Sequence, residues 1–346
     1  MRGTRVLTWL AGFTGAVLLT MGATAWAQER GAPTLQRVTA ADLAQDQALL
    51  GFQRDLVSVL ALRAEAQPLL AAALLARPLA GQPAPLDFHE LIGRAAAAPG
   101  AGPAVTWARL ADCAPDPGKC PNPDASKALV LEAPDNAAIW LLKLGIDVRA
   151  RDHAATREDL ANAAAAKVYD DYVGTGLEAL AKTVGTLPPP AATLNPAYAS
   201  GAMATQVMLV FGLGHTLPQP AMQVAAKLCT APDADVDTKA GCLKLGKTLE
   251  WGSSPLARSL GLHLRETLDA DPARQRDAAQ ERINLAWQVK SFAELNARAL
   301  QERAVAQGLL ALARSGGTEM SLMLAALREN QISAEAPAGW SPSPKP

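Results

Sequence analysis

Four cysteines have the spacing that most clearly predicts chemistry in this sequence. Cys113 and Cys120 lie in one segment, and Cys229 and Cys242 lie in another. Neither spacing matches the paired C-x2–4-C of zinc sites or the C-x-x-C of thioredoxin-like redox pairs. An even number of cysteines in an exported chain favours disulfide bonds. Of the three possible connectivities, we expect the local one, Cys113–Cys120 with Cys229–Cys242.

Other residue types that could carry catalysis are isolated. His89-Glu90 is not followed by the histidine that would place two zinc ligands on one helical face. Gly212-Leu-Gly214 lacks the third glycine of a dinucleotide-binding loop. The sequence contains no P-loop and no Gly-x-Ser-x-Gly elbow. It therefore predicts no catalytic, cofactor-binding or metal-binding residue. The histidines are scattered along the chain: His89, His153, His215 and His263.

Two acidic clusters have a structural and a functional interpretation. Asp233-x-Asp235-x-Asp237 begins like a calcium loop, but Thr238 and Lys244 replace the glycine and the bidentate glutamate that such a loop needs. These aspartates are better explained as the start of a helix, where the helix dipole favours carboxylates.

The second acidic cluster is flanked by aromatic residues. Asp170 and Asp171 lie between Tyr169 and Tyr172. Such a cluster can bind a sugar, but helix capping by either aspartate is the simpler interpretation.

The N-terminus has the order of a signal peptide. Arg2 and Arg5 precede an uncharged apolar run, residues 6–22, and the small residues Ala25 and Ala27 follow. This pattern predicts cleavage before Gln28 and a periplasmic or secreted mature protein. The alternative is a retained membrane anchor, for which the apolar run is short.

Composition predicts an all-α fold of stacked antiparallel helices with two local disulfides. Hydrophobic residues form 49% of the chain but aromatic residues only 4%, so alanine and leucine dominate, as in close-packed helices. The chain has 32 Lys and Arg residues and 33 acidic residues. Two of the basic residues lie in the predicted signal peptide, so the mature protein has 30 basic and 33 acidic residues. Nucleic acid is therefore not an expected partner, because its binding needs surplus positive charge.

Proline-rich stretches divide the chain. We expect a signal peptide (1–27), an N-terminal helical region (28–184), a linker (185–196), a C-terminal helical region (197–332) and a disordered tail (333–346). Ser254-Pro255 and Asp271-Pro272 each place a capping residue before a proline and predict helix starts. Ser291 is expected to begin a new helix.

The segment LEAPDNAAIWLLKLG, residues 131–145, combines a Pro-Asp-Asn-Ala turn with a Trp and a Leu-Gly on the helix that follows. It resembles the junction between tetratricopeptide-type repeats, as does LDADPARQRDAA at 268–279. The resemblance implies helix pairs stacked in a curved solenoid whose concave face binds peptides or proteins. No regular 34-residue period is present, and capped alanine-rich helices are the alternative explanation of both segments.

These observations favour a helical scaffold or interaction protein of the cell envelope with a protein or peptide partner. One alternative is a helical envelope enzyme that acts on cell-wall material through a lone Glu or Asp. Another is a small-molecule carrier with a pocket lined by tryptophans: Trp107, Trp140, Trp251 and Trp287.

Overall fold

The computed structural model of this protein describes residues 40–113 and 120–342. The predicted signal peptide and residues 28–39 lie outside these ranges. The described residues form fifteen α-helices and no strand, so the predicted all-α class of stacked antiparallel helices is confirmed. A single isolated β-bridge joins Asn136 and Val168.

The helices are α1 (Ala40–Leu60), α2 (Ala66–Ala76), α3 (Phe88–Ala97), α4 (Pro103–Arg109), α5 (Pro123–Glu132), α6 (Ala137–Ala150), α7 (His153–Ala165), α8 (Val173–Thr183), α9 (Ala202–Gly214), α10 (Met222–Cys229), α11 (Val236–Glu250), α12 (Pro255–Leu268), α13 (Pro272–Gln301), α14 (Arg303–Ser315) and α15 (Glu319–Glu329). Short 3₁₀ turns lie at Ala84–Leu86 and Ala191–Thr193.

Side-chain caps define many of the helix starts. Asn136 accepts a hydrogen bond from the backbone N–H of Ala138, and Asp271 accepts one from Ala273. Asp235 accepts one from Thr238, which confirms that this acidic segment begins a helix. Helices α12 and α13 begin at Pro255 and Pro272 as predicted, where a missing N–H costs no intrahelical bond.

Helix α2 lies at the centre of the core. Its sequence AQPLLAAALLA is apolar on every side, and residues 71–75 are all fully buried. A helix that is apolar all round must be surrounded by protein, and α2 packs against α1, α3, α8 and α9. Alanines on its surface let these neighbouring helices approach closely.

A second set of helices forms a row. Helix α6 packs on α7, α7 on α11, α11 on α12, and α12 on α13. The turn between α6 and α7 contains only Arg151 and Asp152, and Arg151 adopts the left-handed conformation with φ 60° that ends many helices. Short turns of this kind make neighbouring helices antiparallel.

The proline-rich segment 185–196 lies inside one compact unit, to which all the described residues belong. Helix α8 before it packs directly against α9 and α14 after it. Buried side chains on both sides, Leu180 and Val210 among them, belong to the same hydrophobic cluster. The segment connects helices of one core and does not separate two cores.

Two expectations about the C-terminal part differ from the structure. Ser291 does not begin a helix: it is 2% exposed inside α13, which continues for 30 residues. The composition of residues 333–346 predicts a disordered tail, but residues 333–340 lie against α13, since Trp287 and Trp340 pack together and side chains of α13 bind the backbone of this segment. Residues 343–346 lie outside the described ranges.

Candidate functional site

A buried polar centre joins three parts of the chain around Asp171, which is 1% exposed. The Ser253 hydroxyl donates a 3.0 Å hydrogen bond to Asp171 Oδ1 and accepts one from the Asp171 backbone N–H at 3.2 Å. The Tyr169 hydroxyl donates to Asp171 Oδ2 at 3.3 Å. The Ser253 carbonyl accepts a hydrogen bond from the Met320 N–H, the second residue of α15. These bonds connect the loop before α8 to the loop before α12 and to the start of α15.

Asp171 and Asp170 do not have the helix-capping role expected from the sequence. Tyr172, with φ 57°, is the residue before α8, and no side chain caps this helix. Asp170 instead accepts a 2.8 Å hydrogen bond from the Tyr172 N–H. The Tyr172 hydroxyl accepts one at 3.2 Å from the Asn136 amide. Tyr169 and Asp171 of the acidic-aromatic cluster are therefore buried and bonded within the protein, and Asp170 and Tyr172 are half-buried.

Glu319 lies beside this centre with only 15% of its side chain exposed. Burial, followed by the negative charge of Asp171, raises the pKa of its carboxyl group to about 8. His215 Nδ1 is 3.9 Å from Glu319 Oε1, too far for a hydrogen bond. Burial among protein atoms lowers the pKa of His215 although 39% of its side chain is exposed. At neutral pH we therefore expect a protonated Glu319 facing an uncharged imidazole.

Glu319 in this pair has the pKa direction of a general acid. A general acid needs a cleft in which a substrate reaches its proton. Two grooves among the described residues, of about 450 and 550 Å³, are lined by other residues, including Leu312 and Arg328 in one and Ile283 and Val289 in the other. The sequence contains no signal that could have brought Asp171, His215 and Glu319 together, because they lie on separate segments.

A second buried carboxylate, Asp159 on α7, faces α6. Its side chain is 3% exposed and lies 3.1 Å from Lys143 Nζ, which also binds Asp147 at 3.2 Å. Burial, followed by hydrogen bonding with Asp147, raises the pKa of Asp159 to about 7, while Lys143 opposes the shift. The three groups join α6 to α7, and this arrangement is that of a structural ion pair.

Three exposed apolar residues lie in or beside loops that are joined by backbone bonds: Leu131 in the last turn of α5, Val168 in the loop before α8, and Trp251 directly after α11. Leu131, Val168 and Trp251 are 83%, 55% and 78% exposed, and we call these three residues the loop-end surface. Backbone bonds join their loops: the Lys167 and Val168 N–H groups donate to the Asp135 carbonyl, and the Ser253 N–H donates to the Tyr169 carbonyl at 3.1 Å.

A polar rim adjoins this surface. Lys167 Nζ binds Asp135 Oδ2 at 2.7 Å, and both side chains are largely exposed. An apolar centre containing a tryptophan and bordered by charged residues is the usual composition of a protein-binding surface. The sequence favours a core or pocket position for Trp251, because large aromatic residues are usually buried. Its exposure could not be predicted, since the residue type alone does not show which side of the fold a side chain faces.

The four tryptophans considered for a carrier pocket do not line one cavity. Trp107 is fully buried, with its ring 5.7 Å from that of Tyr172. The indole N–H groups of Trp107, Trp140 and Trp287 donate to three different backbone carbonyls, those of Pro218, Pro134 and Ser333. Trp107, Trp140 and Trp287 thus bind three separate parts of the backbone, and Trp251 is 78% exposed, so the described residues do not bring the four rings together.

Both expected disulfides are present. Cys113 is bonded to Cys120 and Cys229 to Cys242, with Cα–Cα distances of 5.2 and 5.6 Å. Disulfide formation indicates an oxidising, extracytoplasmic environment. The other histidines lie apart: His89 Nδ1 is 2.8 Å from Asp112 Oδ1, and His153 and His263 lie on α7 and α12.

Within residues 40–113 and 120–342, no group of three or more His, Cys, Asp and Glu side chains is placed to hold a metal ion. In the same ranges, every helix is too short or too polar to cross a membrane. The chain matches no protein-family model, no curated protein and no solved structure.

Proposed function

We propose that this chain is exported through its N-terminal signal peptide and acts in the periplasm or outside the cell as a helical scaffold that binds a protein or peptide partner. The loop-end surface is the binding surface in this proposal. The observation that carries it is Trp251, a large aromatic side chain that is 78% exposed on a rigid turn between α11 and α12.

The energetics of Trp251 favour a binding role. A tryptophan side chain covered by a partner removes roughly 150–250 Å² from water. At about 25 cal/mol per Å², this burial contributes on the order of 4 kcal/mol before the costs of association are subtracted. Most of the apolar surface of Trp251 is exposed to water, since 78% of the residue is uncovered by the described part of the chain. Exposed tryptophans at the centre of apolar patches are the residues most often found to dominate protein binding.

The rigidity of the loop-end surface also supports binding. Its loops are held by backbone hydrogen bonds and by the Asp171–Ser253 pair beneath them. A surface that is already ordered loses little conformational entropy when it binds. In this proposal, the stacked helices act as the scaffold because they hold the loops of the binding surface in a fixed conformation.

Cross-linking in the producing cells, followed by mass spectrometry, tests this proposal. The wild-type chain should yield the same partner protein repeatedly, and Trp251→Ala should reduce its yield severalfold. Leu62→Ala is the matched control, since Leu62 is 85% exposed at the end of α1 and belongs to another part of the fold. An equal yield from Trp251→Ala and the wild-type chain would contradict a role for this surface.

Glu319 favours a second candidate function, an envelope enzyme that acts on cell-wall material. A carboxyl group that stays protonated near neutral pH can donate a proton to a leaving group. Incubation of the purified protein with peptidoglycan should then release soluble fragments, and Glu319→Gln should abolish the release. No release by the folded wild-type protein would remove this candidate.

A further inference from the structure

The segment that follows α15, residues 333–342, crosses α13, and we call it the tail segment. Trp287 Nε1 donates a 2.9 Å hydrogen bond to the Ser333 carbonyl, and Gln288 Nε2 donates one of 2.9 Å to the Ala334 carbonyl. The Ala336 backbone N–H donates a 3.1 Å bond to Asn284 Oδ1. All three bonds go to backbone atoms of the tail segment, so the same bonds can form with a segment of another sequence that adopts the same backbone path.

The three side chains form a continuous face of α13. Positions 284, 287 and 288 have the i, i+3, i+4 spacing that places side chains next to one another on a helix. Asn284 and Gln288 are only 6% and 9% exposed, and both bind the backbone of the tail segment. Buried amides need hydrogen-bond partners, and the backbone of the tail segment supplies the partner of the Gln288 amide.

An aromatic contact anchors the far end of the tail segment. The rings of Trp287 and Trp340 meet edge to face, with centroids 5.5 Å apart and an interplanar angle of 71°. A turn places Trp340 there: its N–H donates to the Pro337 carbonyl at 2.9 Å, and Gly339 has φ 77°, which favours glycine. This face of α13 thus holds the tail segment by backbone hydrogen bonds at one end and by the ring of Trp340 at the other.

The groove of about 550 Å³ between α12 and α13 extends this recognition surface. Pro255, Ile283, Ala286 and Val289 line it, and Pro342 of the tail segment forms part of its wall. Val289 is 42% exposed. The groove has the volume of a small-ligand or peptide subsite. Its apolar side chains fit further proline or aliphatic side chains, and the Arg282–Glu266 ion pair forms a polar part of its lining.

We propose that Asn284, Trp287, Gln288 and this groove form a docking site for a proline-rich peptide with an aromatic side chain, and that the tail segment occupies the site as an internal competitor. Proline pre-orders an extended backbone and so lowers the entropy lost on docking. The tail segment contains Pro337 and Pro342 beside Trp340, which is the chemistry expected of the external peptide. This site shares no residue with the loop-end surface and does not depend on it.

The test measures binding of a labelled peptide with the sequence of residues 333–342 to the full-length mature chain by fluorescence anisotropy. A tethered competitor has an effective concentration in the millimolar range, so the wild-type chain should bind the peptide weakly. Trp340→Ala in the chain releases the competitor, and we expect the dissociation constant to fall by about tenfold or more. Ala336→Pro, which removes the N–H that binds Asn284, should act in the same direction and provides a second release variant.

The docking face itself is tested in the released chain. Adding Trp287→Ala to Trp340→Ala should return peptide binding to the weak level, whereas adding Leu62→Ala, which removes an exposed apolar side chain elsewhere, should leave it unchanged. A peptide whose two prolines are replaced by glycine should bind severalfold more weakly, and a scrambled peptide should not bind. Equal affinity of the wild-type and both release variants, or binding that survives Trp287→Ala in a chain with an unchanged melting temperature, would overturn the proposal.

Discussion

Gly174 and Gly317 are in such close contact that a Cβ atom on Gly174 would lie 2.0 Å from the Gly317 carbonyl oxygen. Gly174 is in the first turn of α8, and Gly317 is in the turn before α15. This contact keeps the start of α15 beside the loop that carries Asp171. Helices that are far apart in sequence thus meet through backbone atoms, without a side chain between them.

We predict that Gly174→Ala lowers the free energy of unfolding by about 2–3 kcal/mol, because the added methyl group displaces backbone that cannot move independently. Gly51→Ala is the control: a Cβ at Gly51 in α1 meets nothing within 4 Å. This control should be neutral or stabilising by up to about 1 kcal/mol, since alanine favours helix over glycine. Urea unfolding of both variants measures the difference, and equal stability of Gly174→Ala and the wild-type chain would contradict the close contact.

Glu319 should make stability depend on pH. Its pKa is about 8 in the folded chain and near 4.5 without burial. Between pH 4.5 and 8, the Glu319 carboxyl group is therefore protonated in the folded state and ionised in the unfolded state. Its stabilising contribution is complete below pH 4.5 and is lost as the pH rises through 8.

Glu319→Gln removes this proton equilibrium while keeping the side-chain shape. At pH 5 the variant and the wild-type chain should have similar stability, and at pH 9 the variant should be more stable by about 2–4 kcal/mol. Glu158→Gln, on the exposed face of α7, provides the control and should leave the free energy of unfolding unchanged at both pH 5 and pH 9. Parallel stability curves for Glu319→Gln and the wild-type chain from pH 5 to 9 would show that Glu319 is not buried as described.

Local sequence signals predicted much of the helical framework. Asp271-Pro272 predicted the start of α13, and the structure places the helix start and the Asp271 cap there. These signals work because a cap and the helix it begins are neighbours in sequence. Ser291 shows their limit: Ser-x-x-Glu has the pattern of a cap, but tertiary packing buries Ser291 within one long helix.

The polar centre and the tail segment could not be predicted in this way. Ser253 and Asp171 are 82 residues apart, and Trp287 binds a carbonyl 46 residues further along the chain. Single-sequence patterns contain no information on such pairings. The proline-rich composition of the tail segment favoured disorder, whereas Trp340 contributes enough buried aromatic surface to hold it on α13.

Removal of either disulfide should reduce stability. Cys229 and Cys242 join α10 to α11 with a sequence separation of 13, and Cys113 and Cys120 have a separation of 7. The chain-entropy model predicts losses of about 3 and about 2.5 kcal/mol for the two double-alanine variants. Cys229 and Cys242 are fully buried, so their removal also leaves a cavity and should cost more. Urea unfolding measures both, and an unchanged midpoint for Cys229→Ala/Cys242→Ala would contradict the stabilising role.

The loop-end surface should be dispensable for folding. Trp251→Ala and Val168→Ser change exposed side chains, so each should alter the free energy of unfolding by about 0.5 kcal/mol or less. Thermal unfolding followed by circular dichroism measures this. A large loss of stability in Trp251→Ala would mean that the indole packs within the fold, and it would remove the reason for assigning this residue to a partner.

Site-specific photo-cross-linking tests the proposed binding function most directly. A photoreactive phenylalanine analogue is placed at Trp251, at Val168 or at the control position Leu62, and cross-links are induced in living cells. We predict that positions 251 and 168 capture the same protein, that Leu131→Asp in the same chain abolishes the capture, and that position 62 does not capture it. No common product at 251 and 168, or the same product at position 62, would contradict binding through the loop-end surface.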